Sequence, residues 1–462
     1  MDPSQPAPVM VFLPGGRFEQ GSSGSVLYDG SLITNRSGVI LVTANYRLGA
    51  LGWLATSNGL GGNFGLEDQR TAMRFIQKII PSFGGDPNLI TLFGQSAGAT
   101  STATHLTSPR SKGLFQRAII HSGPLSLPNK PLSDATWLGD QFSQSVGCQP
   151  SDLNCLRQVS VDKIVDMQKE ADHIFNLGKP LESGMPWVPV IDTSKDDVIG
   201  QPLALLGQGN FHKMPVIVGS VWQDCLPFIY MGFKTYMSDL EYSVIVLAVF
   251  PQIFQEVMNM YPPTPLVGDK RPWLGVVGTD YIFGCPARYV AENVANALAG
   301  TGNNAYLYNF NQSLSYDGWG PNYTFCVGKV CHGVELPYLF DSARGAGFHT
   351  TEDEEILSAY FGALWTNFAR TGDPNRGPQQ THTAYWPPYN TNNRPNIEMS
   401  APHAIIHNSY RAFHCNWWDS KGYNWGWGNN AINSEGSSSY GRGGEAIGAQ
   451  RLLDVASKRK QH

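Results

Sequence analysis

Long apolar runs are scarce in this chain. The longest, Val244 to Phe250, is far shorter than the roughly 20 residues a bilayer-spanning helix needs, so no transmembrane segment is expected. Basic runs are missing too. With 32 Lys and Arg against 37 Asp and Glu, the net charge of -5 removes the electrostatic case for a nucleic-acid or anionic-membrane partner. Cys and His do not fall at zinc-type spacings, and the residue pattern calls for neither a metal nor a cofactor. The residues after Met1, Asp2-Pro3-Ser4-Gln5-Pro6, do not read as a signal peptide. What the chain has in quantity is apolar and aromatic content, 42% and 11% of 462 residues, enough to bury a large core. A small molecule or a protein is the default partner.

Six short runs read as strands: Val9-Leu13, Val39-Thr43, Leu89-Phe93, Arg117-His121, Val216-Gly219 and Ala305-Phe310. They are rich in β-branched or aromatic residues, apolar almost throughout, and bounded by Gly, Pro or Asn, as befits strands buried on both faces of a parallel sheet. Helical periodicity lies between them. Leu66 to Ile79 would present Ala72, Phe75, Ile76 and Ile79 on one face, and Gly98 to Leu106 is a run of small residues. The alternation predicts an α/β fold. The stretches 122–213 and 221–304 are too long for simple crossovers and should hold inserted helices and loops over the strand ends, where ligands bind in open α/β sheets.

Directly after the third strand stands Gly94-Gln95-Ser96-Ala97-Gly98. This G-x-S-x-G pattern fits a strand-to-helix elbow that holds a serine hydroxyl at the C-terminal edge of the sheet. A glycine-rich loop with a capping serine would give the same five letters. The neighbourhood separates the two readings. Pro8-Val9-Met10-Val11-Phe12-Leu13-Pro14-Gly15-Gly16-Arg17-Phe18, Asn45-Tyr46-Arg47-Leu48-Gly49, Gly62-Asn63-Phe64-Gly65-Leu66-Glu67-Asp68-Gln69, Phe83-Gly84-Gly85-Asp86-Pro87, the elbow, and Phe115-Gln116-Arg117-Ala118-Ile119 follow in order. With these markers the chain resembles the type-B carboxylesterases, the group that includes the cholinesterases, from about Pro8 to Asp419. The resemblance implies an α/β-hydrolase fold with a mostly parallel sheet, and a serine hydrolase that cleaves a small-molecule carboxylic ester through an acyl-enzyme.

The resemblance also implies residue roles. Ser96 is the expected nucleophile. His332, in Cys331-His332-Gly333-Val334-Glu335-Leu336, matches the family's H-G-x-E-L segment and is the expected base; His121, at a strand end, is the rival. The family places Glu five residues after the glycine that ends the strand at 216–219, and here Asp224 holds that position as the expected acid. Backbone N–H groups of Gly16, Arg17 and Ala97 should form the oxyanion hole, although the family has glycine where Arg17 stands. Cholinesterases carry Glu before the serine to bind a cationic head; Gln95 argues against choline esters. Met185, Trp187 and Phe228 are the other residues expected near the substrate pocket.

Seven cysteines remain to be placed. Cys148 with Cys155 and Cys285 with Cys415 match the family's downstream disulfides. Cys326 and Cys331 could form a third bridge, with Cys225 left over or paired instead to Cys331. Bridges of this kind, with sequons at Asn35, Asn311 and Asn322, point to a secreted or vesicular route. Family members begin with further strands, so the first glycine loop reads as following a lost N-terminal segment, with the strand at 39–43 left as an open edge. The enzyme domain is expected over 1–419. A flexible Gly-, Ser- and Asn-rich tail should follow over 420–462.

Overall fold

The computed structural model describes residues 6–171, 180–263, 268–379 and 383–424. Eight strands form one sheet: β1 (Ala7–Leu13), β2 (Ile40–Thr43), β3 (Gly85–Gln95), β4 (Arg117–His121), β5 (Val216–Val221), β6 (Ala305–Phe310), β7 (Pro395–Met399) and β8 (Ile405–Asn408). Their spatial order is β8-β7-β6-β5-β4-β3-β1-β2. Every neighbouring pair is parallel except β8 with β7. This is the α/β-hydrolase fold, and all six expected strands are in it.

Two-residue alternation splits each central strand between two cores. Val9, Val11 and Leu13 of β1 join Ile90, Leu92, Ile120, Val216 and Val218 on one face. That face is covered by α1 (Phe64–Ile79), α2 (Ala97–Thr107) and α3 (Cys285–Leu298), through residues such as Met73, Ala103 and Val290. Met10 and Phe12 point the other way and meet Phe93, Ile119, Ile217 and Tyr308 beneath α4 (Glu352–Thr371). α4 is specified locally as well as by burial: Thr351 and Glu354 form a capping box, four acidic residues fill the first turn, and Gly372 ends the helix with φ of 80°.

The buried face of α1 is not the expected one. Leu66, Gln69, Arg70, Met73 and Ile76 are buried, whereas Phe75 is 59% exposed. The polar pair Gln69 and Arg70 belongs inside because it bonds to Ser101, Ser111, Glu67 and Asp197, which a hydrophobicity pattern cannot register. The long stretches do carry inserted helices, including Leu132–Ser145 before β5 and Leu226–Gly232, Asp239–Val249 and Arg271–Gly278 after it. Among the described residues no single helix is long and apolar enough to cross a membrane. β2 is half-buried and ends the sheet; no described strand pairs with its outer edge.

The described structure continues past residue 420. A helix covers Ala412–Lys421, and Tyr423 is buried against the core with its hydroxyl 2.6 Å from Asp419 Oδ1. The rest of the expected tail, 425–462, lies outside the described residues. All three disulfides are present: Cys148–Cys155, Cys285–Cys415 and Cys326–Cys331, which leaves Cys225 as a buried free thiol and excludes its pairing with Cys331.

Cys285–Cys415 closes 130 residues and ties the start of α3 to the last described helix. Chain entropy values such a loop at about 4 to 5 kcal/mol. Replacing both cysteines with serine should therefore lower the denaturant midpoint and, by letting the unfolded chain expand, steepen the slope; an unmoved midpoint would contradict this.

Candidate active site

The elbow forms because two segments cross without side chains between them. A Cβ on Gly98 would stand 1.9 Å from the carbonyl oxygen of Leu13, and one on Gly94 would stand 2.4 Å from the backbone of Gly98. Any larger residue would push β1, β3 and α2 apart. The turn leaves Ser96 at φ 59°, ψ −122°, with its N–H donating 3.0 Å to the carbonyl of His121. Ser96 thus sits at the C-terminal edge of the central strands, 9% exposed, in a conformation that non-glycine residues rarely hold.

The expected acid and histidine meet. His332 Nδ1 lies 2.5 Å from Asp224 Oδ1, and Asp224 is fully buried with its other oxygen accepting the Val221 N–H at 3.0 Å. The shorter aspartate reaches because the two loops are laced together. Gln223 N–H donates to the Val330 carbonyl (3.0 Å), and Val330 N–H donates back to Gln223 Oε1 (2.9 Å). The Cys326–Cys331 bridge closes the turn immediately before His332. Phe228 packs edge-on to the His332 ring with centroids 5.0 Å apart, and Phe283 lies 5.2 Å away on its own turn of π-helix.

Serine and histidine are not joined. His332 Nε2 lies 3.0 Å from the side-chain nitrogen of Gln95, and no hydrogen bond among the described residues links it to Ser96 Oγ. Gln95, expected near the substrate pocket, contacts the expected base.

The glycine loop approaches the elbow closely. A Cβ on Gly15 would stand 2.9 Å from Gln95 Oε1 and from Ser96 Cβ. Beyond it Gly16 has φ of 121°, and Arg17 and Phe18 have φ of 58° and 62°. Arg17 therefore occupies the left-handed region that glycine would take without strain, a cost of order 1 kcal/mol. Packing offsets it: Phe18 is buried edge-on to Trp53 with centroids 4.8 Å apart, and the Arg17 guanidinium donates to the Gly184 carbonyl at 2.9 Å. The N–H groups of Gly16 and Ala97 make no hydrogen bond among the described residues, which leaves them as donors for a ligand oxygen. Of the other expected pocket residues, Met185 is half-buried, whereas Trp187 is 2% exposed and packs edge-on to Phe142, so its ring belongs to the core.

Behind Asp224 lies a buried polar group that no spacing rule marks for a role. Glu335 is fully buried, and neither carboxyl oxygen has a hydrogen-bond partner among the described residues. Burial, and then the nearby Asp224 carboxylate, push it up to about 8. The rival His121 is a core residue. Trp365 Nε1 donates to its Nε2 at 2.9 Å, leaving Nδ1–H to donate to Tyr308 at 3.0 Å, and burial holds its imidazole down to about 3. Burial likewise pushes the Cys225 thiol up to about 12, so it is no nucleophile at neutral pH.

Comparison with known proteins gives the family. The profile of the carboxylesterase family matches residues 1–418. The chain belongs to that family. Two relatives come from Dictyostelium discoideum. The "Crystal protein" is 35% identical over 426 residues, covering 92% of this chain and 76% of the relative. The "cAMP-regulated D2 protein" is 37% identical over 375 residues, covering 81% and 68% respectively. Two site residues of this carboxylesterase-family chain escaped sequence reasoning. Phe283 carries no signal beyond being aromatic, and Glu335 lay within the histidine motif without a stated role.

Glu335 gives a pH signature. An unfolded glutamate ionises near 4.5, whereas the folded one keeps its proton until about 8. The folded state therefore binds more protons between these values, and stability is lost as pH rises through that window. Glu335→Gln, which cannot ionise, should gain stability relative to the parent from about pH 4.5 to 8, by up to about tenfold in folding constant per pH unit. Denaturant titrations of both proteins across that range check it; parallel curves would refute the assignment.

Proposed function

We propose that this member of the carboxylesterase family hydrolyses carboxylic esters through an acyl-enzyme formed on Ser96. The observation that carries the reading is the 2.5 Å contact between His332 Nδ1 and Asp224 Oδ1, made beside a serine on a strained elbow. Ser96 Oγ attacks the ester carbonyl while His332 Nε2 takes its proton, displacing the Gln95 amide from that nitrogen. Asp224 fixes the imidazole tautomer and stabilises the imidazolium. The carbonyl oxygen, as it becomes an oxyanion, is received by the N–H groups of Gly16, Arg17 and Ala97. The leaving alcohol departs with the proton from His332, and a water molecule repeats the sequence to release the acid. With an amide rather than a carboxylate at Gln95, the favoured esters have uncharged alcohols.

A secreted or vesicular setting accompanies this reading, supported by three disulfides. Asn35 and Asn322 are exposed and are the favoured glycan acceptors, whereas the Asn311 side-chain nitrogen donates to Glu398 at 3.0 Å. The second reading is a catalytically silent member of the fold. It draws on the Gln95 contact to His332 Nε2 and on the printed name of one relative, "Crystal protein".

An organophosphonate probe separates the two. Hydrolysis should label the parent chain once, on Ser96, and Ser96→Ala should lose both label and turnover of an activated short-chain ester. A folded parent that takes no label supports the silent reading; a labelled alanine variant defeats the Ser96 assignment.

A further inference from the structure

His332 offers one lone pair, and the elbow residue before Ser96 holds it. Nδ1 is committed to Asp224, so in the neutral ring Nε2 is the acceptor. The Gln95 amide holds that acceptor at 3.0 Å. Gln95 is itself clamped. It is 5% exposed, its Oε1 lies 2.9 Å from where a Cβ on Gly15 would stand, and its Nε2 lies 3.8 Å from the corresponding point on Gly333. The side chain is therefore wedged between the glycine loop and the histidine turn, one residue from Ser96.

Resting on the acyl-transfer reading, we infer that Gln95 is a positioning residue: it holds the His332 ring by its Nε2 edge and keeps that edge free of fixed charge. An amide suits the task because its N–H donates to a bare Nε2 without bringing a charge. An ionised carboxylate at the same position would accept only, and would favour the protonated ring.

The surrounding groups make this charge balance matter. Asp224 already places one negative charge on the Nδ1 side. Glu335 lies behind it on the histidine's own segment; burial, and then Glu335 and Asp224, raise Tyr308 of β6, which bonds to His121 of β4. Cys225, next to Asp224, is held as a neutral thiol. The remaining ring contacts are the apolar Phe228 and Phe283. A carboxylate at 95 would thus put a second negative charge directly against His332, and no described cation pairs with either side of the ring.

Gln95→Glu and Gln95→Met test this in the full chain. The His332 ring is titrated by NMR with 13C-labelled histidine on a Ser96→Ala background, its signal identified by its loss in His332→Gln. In proteins with Ser96 intact, the rate of phosphonate inactivation is followed against pH. Glu should raise the His332 pKa by about 1 to 3 units and move the acid limb of inactivation up equally, a loss of about tenfold or more at its foot. Met, which removes the donor without adding charge, should raise it by up to about 1 unit. Titrations of both variants that superimpose on the parent would overturn the inference. The two readings fail separately: the NMR shift without any phosphonate labelling of the parent defeats acyl transfer and keeps the Gln95 role, whereas labelling without the shift defeats only the Gln95 role.

Discussion

Everything at the site hangs from one close approach. The carbonyl oxygen of Leu13, at the end of β1, stands 1.9 Å from where a Cβ on residue 98 would be. Only glycine lets α2 begin directly over that strand end, and only that start leaves Ser96 at φ 59° on the rim of the sheet. Because β1, β3 and β4 are parallel neighbours, the same rim receives the glycine loop after β1, the elbow after β3 and the Ser96-binding carbonyl of His121 at the end of β4. The sheet thus delivers three backbone elements to one edge before any side-chain chemistry is considered.

Asp224 and His332 reach that edge from farther away in sequence, and they arrive as a single unit. Asp224 follows β5 and His332 comes well after β6, yet Gln223 and Val330 exchange backbone and side-chain hydrogen bonds directly beside them. The Cys326–Cys331 bridge shortens the histidine loop at the same point. Two of the ordered sequence markers turn out to be fasteners rather than chemistry. Arg47 grips both oxygens of Asp68 at 2.7 and 2.8 Å, and Asn63 exchanges two 2.7 Å hydrogen bonds with the backbone of Val190, fixing the inserted region to the start of α1.

Much of this was legible in the sequence. Continuous apolar runs located β1 to β6 because a doubly covered strand has no polar face to confuse the pattern. β7 and β8 were missed because they are short, begin at a proline or carry exposed residues, and sit toward the antiparallel edge, where pairing rather than burial defines the strand. The face of α1 was misjudged because Gln69 and Arg70 are buried for their hydrogen bonds while Phe75 is exposed. The order of acid and histidine could be read, but not the Gln95 contact, which depends on which of two neighbouring side chains turns toward the ring. Phe283 reaches the ring through a π-helical turn, and no periodicity announces one.

Intact-mass and peptide analysis of the chain, quenched during turnover of an activated short-chain ester, tests the central claim most directly. The account predicts one acyl group per chain, carried on the peptide containing Ser96, formed in a burst before steady release of acid. A folded chain that forms no adduct and shows no burst, or one that carries the acyl group on another residue, would contradict it.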